Sequence, residues 1–86
     1  MKIKPGFMLR QLGENYVVVA LGPAAEEFKG IIRLNPAGAF LWKRLGDGAS
    51  EDELVAALLG EYDVDEAAAR ADTAKFLADI ADMLEA

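Results

Sequence analysis

Few side chains in this chain could do covalent chemistry. It has no histidine and no cysteine, one serine (Ser50) and one threonine (Thr73). That removes the commonest general base, the commonest metal ligand and any thiolate site. Carboxylates alone can serve as acid and base, yet no spacing here sets two of them in an apolar pocket. Ser50 already has a structural task. Ser50-Glu51-Asp52-Glu53 is a capping box, in which Ser50 and Glu53 each satisfy a backbone amide of the other. Thr73 falls on the apolar stripe of a later helix. What remains is binding, through backbone edges, apolar pockets and charge. The expectation is a protein that is not an enzyme and holds no cofactor and no metal.

Charge is unevenly divided. Residues 1–46 carry a net +4 and residues 47–86 a net −10, for an overall −6. Acidic or mixed-charge peptides would prefer the first half. The 86 residues suit a single domain spanning 1–86. A hydrophobic content of 53% and a mean hydropathy of +0.15 argue against disorder. No apolar run approaches the roughly 20 residues of a membrane helix. No secretory h-region follows the basic start. The chain reads as cytoplasmic, with no membrane partner.

The elements that must position a binding site follow from the pattern. Phe7-Met8-Leu9-Arg10-Gln11-Leu12 and Tyr16-Val17-Val18-Val19-Ala20-Leu21 flank Gly13-Glu14-Asn15, which predicts a β-hairpin with a three-residue connection. Gly22-Pro23 ends the second strand. Residues 24–29 fit either a loop or a short helical turn. A third strand is expected over 30–34, with Ile32 and Leu34 on one face and Ile31 and Arg33 on the other.

Three helices follow. Asn35 is an N-cap and Pro36 an N1 residue, so the third strand hands over directly to a helix ending near Leu45, with Gly46 at C′. Trp42 is placed in the core. The second helix starts at the Ser50 box, with Leu54, Leu58 and Tyr62 on its apolar face and Val55 and Leu59 alongside. Asp65 caps the third. There Ala69, Thr73, Phe76, Leu77, Ile80, Met83 and Leu84 recur at helical spacing. Asp72 and Asp79 border that stripe on one side, and Arg70, Ala74 and Ala81 on the other. Asp63-Val64 joins the last two helices in a helix-turn-helix manner. The fold class is α+β, winged helix-turn-helix-like, in the order βββααα.

That fold serves DNA readers and peptide binders alike. Residues 65–86 carry a net −4, so the third helix would repel a nucleic acid. An acyl or peptidyl carrier would need a serine in an Asp-Ser-Leu setting, whereas this one reads Ala49-Ser50-Glu51. Peptide capture fits better, because an exposed sheet edge accepts an extended strand through backbone hydrogen bonds. The candidate edge is the third strand, with Ile31, Ile32 and Leu34. Lys29, Arg33 and Arg70 could pair with acidic peptide residues. On the third helix, Thr73, Ala74, Leu77 and Ala81 complete the candidate set, the two alanines leaving room beside Leu77.

The passage Leu34-Asn35-Pro36-Ala37-Gly38-Ala39-Phe40-Leu41-Trp42-Lys43-Arg44-Leu45, a Leu-Asn-x-x-Gly-x-x-x-Trp-x-x-Leu pattern after a short strand, resembles the PqqD family. Lys4-Pro5-Gly6-Phe7, Phe28-Lys29-Gly30, Glu61-Tyr62-Asp63-Val64 and the Asp72…Phe76-Leu77 run are similar to family segments in the same order. The resemblance implies a domain that recognises the leader of a ribosomally synthesised precursor peptide. The leader would add beside the third strand, in a groove walled by the third helix. The implied partner is a peptide-modifying enzyme, commonly a radical S-adenosylmethionine maturase. That enzyme would bring its own iron–sulfur clusters, since this chain has no cysteine to ligate them.

Overall fold

In the computed structural model, which describes residues 1–27 and 31–85, alternating apolar residues form an antiparallel hairpin of β1 (Phe7–Leu12) and β2 (Asn15–Ala20). Leu12 pairs with Asn15, so the connection is two residues rather than three. Gly13, at φ 65°, takes the positive-φ position that a two-residue turn demands, and Asn15 belongs to the strand. A short helix, α1 (Pro23–Glu27), resolves the ambiguous segment in favour of helix. The third strand, β3 (Ile32–Leu34), pairs antiparallel with β2 and gives the sheet order β1-β2-β3. It is shorter than expected, and Phe28, Lys29 and Gly30 lie outside the described residues.

Three longer helices follow: α2 (Pro36–Gly46), α3 (Glu51–Glu61) and α4 (Glu66–Asp79). Each begins at the expected cap. Asn35 Oδ1 accepts from the Gly38 amide at 2.7 Å, Ser50 Oγ from the Glu53 amide at 3.1 Å, and Asp65 Oδ1 from the Ala68 amide at 2.7 Å. The Glu53 carboxylate returns the bond, accepting from the Ser50 amide at 2.9 Å. That bond holds its carboxyl below the usual carboxylate pKa. Gly46 is not the C′ residue. The helix includes it, Asp47 is the C-cap, and Gly48 takes the positive φ.

The core lies between one sheet face and α2–α4. Val18 and Leu34 meet Leu41, Trp42, Leu45, Leu54, Val55, Leu58, Ala69, Phe76, Ile80 and Met83 there. Trp42 is a core residue, as expected. Leu59 and Tyr62, expected on the apolar face of α3, are exposed instead. Tyr62 sits at the helix C-cap with an extended backbone, and its ring packs edge-on against Phe40 at 5.7 Å.

The helix stops at Asp79, although the apolar stripe continues to Leu84. Ile80 breaks the α geometry and a 3₁₀ turn, Ala81–Met83, carries Ile80 and Met83 into the core. The turn frees the backbone beyond it to pair with the other end of the chain. The Lys4 amide donates to the Met83 carbonyl and the Glu85 amide to the Lys2 carbonyl, both at 2.8 Å, around an Ile3–Leu84 bridge. The molecule is therefore α+β, a three-stranded antiparallel sheet followed by helices. Its winged helix-turn-helix likeness is loose, because the whole sheet precedes α2–α4. Among the described residues, no helix is long and apolar enough to cross a membrane.

Candidate functional site

β3 pairs with β2 along one side, and its other side is an edge of the sheet. Beside it runs a groove of about 120 Å³, enclosed by the end of β3, the first turns of α2 and one flank of α4. Leu34, Ala37, Gly38, Leu41 and Phe76 supply its apolar surface. Gly38 makes this junction tight. A Cβ there would lie 3.2 Å from Asn35 Oδ1 and 3.3 Å from Leu34 Cβ, closer than such contacts normally come. The glycine thus lets α2 start directly against β3, which sets the groove at the strand's end.

The charged groups at the groove are Arg33, Asp72, Lys75 and Asp79. Lys75 Nζ reaches Asp79 Oδ2 at 3.7 Å, one turn along the helix and well exposed. Residues of both signs line the groove, so the site presents mixed charge and suits a peptide that carries both signs. An extended segment lying here would bond to the β3 backbone and drop alternate side chains toward Leu34, Leu41 and Phe76.

Of the residues expected at the site, Arg33 and Leu34 line this groove, and Ile31 and Ile32 lie along the same strand region. The α4 residues are distributed differently, because the strand meets the opposite flank of the helix. Arg70 faces α3, with Nε 3.0 Å from Glu66 Oε2 and Nη1 3.2 Å from Asp52 Oδ1. These bonds, the Glu66 one foremost, raise its pKa and hold the guanidinium away from the groove. Thr73 is fully buried and, among the described residues, its Oγ1 has no hydrogen-bond partner, so it is a core residue that a peptide cannot reach. Ala74 is exposed beyond Arg70, on the side of α4 away from β3, and Leu77 packs against the core. Ala81 lines a second, wider cleft of about 570 Å³ with Lys4, Pro5, Phe7 and α1. Lys29 lies outside the described residues.

The groove's α4 wall is therefore Asp72, Lys75, Phe76 and Asp79. The sequence carried a signal for it, since Asp72 and Asp79 border the stripe together. Helical periodicity defines two flanks but cannot say which one a distant strand will meet.

Fold and site together define a class, a small α+β binding domain whose open strand edge borders an apolar-floored groove. Residues 11–83 match the family model described as coenzyme PQQ synthesis protein D (PqqD), and the chain belongs to the PqqD family. No curated protein matches it. Two solved structures do. One is TbiB1 in complex with the TbiA(beta) leader peptide, at 26% identity and a TM-score of 0.75, covering 99% of this chain and 95% of that one. The other is lasso peptide synthetase B1 complexed with the leader peptide, at 22% identity and a TM-score of 0.70, covering 94% of this chain and 89% of that one. At its lower identity, the second likeness speaks to the fold alone.

Proposed function

We propose that this chain captures the leader segment of a ribosomally synthesised precursor peptide by strand addition to the free edge of β3. It presents the rest of the peptide to a separate modifying enzyme, a radical S-adenosylmethionine maturase or another, and does no chemistry itself. The observation that carries this reading is the open β3 edge beside a groove floored by Leu34, Leu41 and Phe76. Membership of the PqqD family and the likeness to TbiB1, solved with a leader peptide, support it.

The peptide-contacting set is Ile31, Ile32, Arg33 and Leu34 on the strand side, and Asp72, Lys75, Phe76 and Asp79 on the helix side. Binding would be around micromolar, about −8 kcal/mol, since a short segment must offset its own ordering entropy.

The test is a backbone amide NMR titration with the leader peptide encoded beside this protein. Shifts concentrated on residues 31–34 and 72–79 are expected. An unperturbed spectrum at about 1 mM peptide, a concentration far above the expected dissociation constant, would remove the proposal.

A further inference from the structure

The sheet has a second face, and its composition is not that of an ordinary solvated surface. The strand register puts Met8, Arg10, Leu12, Val17, Val19 and Arg33 on the side opposite the core. Met8 is 41% exposed and Leu12 60%, and Ile31, in phase with Arg33, is 56% exposed. Val17 is only 5% exposed although it stands outside the core cluster. Its cross-strand neighbours are Arg10 and Arg33, long side chains whose aliphatic stems can cover a residue between them.

Outward positions of the three strands hold these two arginines and no carboxylate. Among the described residues, neither arginine has an ion-pair partner. A cationic, partly apolar face therefore stands on a chain whose net charge is −6.

We infer that this outer sheet face docks the enzyme that modifies the bound peptide, through an apolar patch on that enzyme rimmed by carboxylates. The inference rests on the peptide-capture reading for the identity of the enzyme. Exposed apolar side chains next to unpaired guanidinium groups match the composition of protein interfaces, where arginine is enriched and long-range charge sets the approach. A second copy is the wrong complement. A two-fold contact through this face would bring the same cationic surface, with Arg10 and Arg33, against itself. Anionic lipid or nucleic acid calls for a denser cationic cluster than two arginines spaced by apolar residues, and the acidic chain as a whole repels polyanions.

The experiment uses the full chain, the modifying enzyme encoded beside it and the labelled leader peptide. Arg10→Glu and Met8→Glu are made singly and together, because both lie on β1, away from the groove, whereas Arg33 and Ile31 border the peptide strand as well as this face and are left unchanged; amide spectra confirm that each variant folds. Enzyme binding should weaken about tenfold or more in each single variant. Leader affinity should stay within about twofold, as expected for a separate site. Undiminished enzyme binding by the double variant would overturn the inference. A wild-type dimer that Met8→Glu dissociates, or pelleting with phosphatidylserine vesicles that Arg10→Glu abolishes, would also overturn it by assigning the face to another occupant. If no form of the chain binds leader while enzyme binding still falls with these substitutions, the docking face stands and peptide capture is the reading that fails.

Discussion

Thr73 carries an internal conflict that a single substitution can resolve. Its hydroxyl is wholly buried with no hydrogen-bond partner among the described residues, and a buried unpaired polar group costs free energy. Valine has nearly the same shape and no hydroxyl. Thr73→Val should therefore stabilise the domain by about 1 kcal/mol, raising its melting temperature by about 4–8 °C. A drop in melting temperature would show that the hydroxyl is satisfied in solution. Glu53 gives a pH-dependent counterpart. Its folded pKa lies below the ordinary value of 4.5, so near that value the unfolded chain binds more protons than the folded one. Its contribution is present above the ordinary carboxylate range and is lost as pH falls through the lowered folded value. Glu53→Gln keeps a capping-box partner but cannot titrate. The stability gap between variant and wild type should therefore narrow on acidification from about pH 6 to pH 3, measured by thermal melts across that range.

The decisive element pair is β3 and α4, because the groove exists only where that strand edge meets that helix flank. A tryptophan in place of Asp72 would fill the groove from an exposed position. Asp72→Trp should weaken leader binding by about tenfold or more with the fold intact. Ala74→Trp, on the far side of α4, should leave binding within about twofold, consistent with independent sites. Leader titrations of the two variants side by side check the placement, and the reverse order of effects would move the site to the Arg70 flank. The helix faces and caps were legible in the sequence because they depend on neighbours within one turn. Asn35, Ser50 and Asp65 each bond an amide three residues on, and local composition states such bonds directly. Tyr62 misled because it continues the helical period by one residue past the point where the backbone leaves the helix.

At the scale of the whole molecule, the two ends of the described chain close the structure on each other. Met83 is fully buried, and its carbonyl accepts from the Lys4 amide. If this closure belongs to the cooperative unit, Met83→Ala should cost about 2–5 kcal/mol of a total near 5–15 kcal/mol. Urea denaturation should show the midpoint fall with little change in slope. A loss of only a few tenths would mean the 3₁₀ segment frays independently of the core. The sequence by itself determined the order of the three strands and the three longer helices, the starts of those helices and the core stripe Ala69, Thr73, Phe76, Ile80 and Met83. It also excluded thiolate and imidazole chemistry, through residues it does not contain. These follow from short-range periodicity and from composition, which any local stretch of chain expresses. Only the tertiary structure decided that β3 meets α4 at Asp72, Lys75, Phe76 and Asp79, that Arg70 turns to Asp52, and that residues 2–4 pair with 83–85. Each of these brings together segments far apart in sequence, and it depends on how helices and sheet pack rather than on any local pattern.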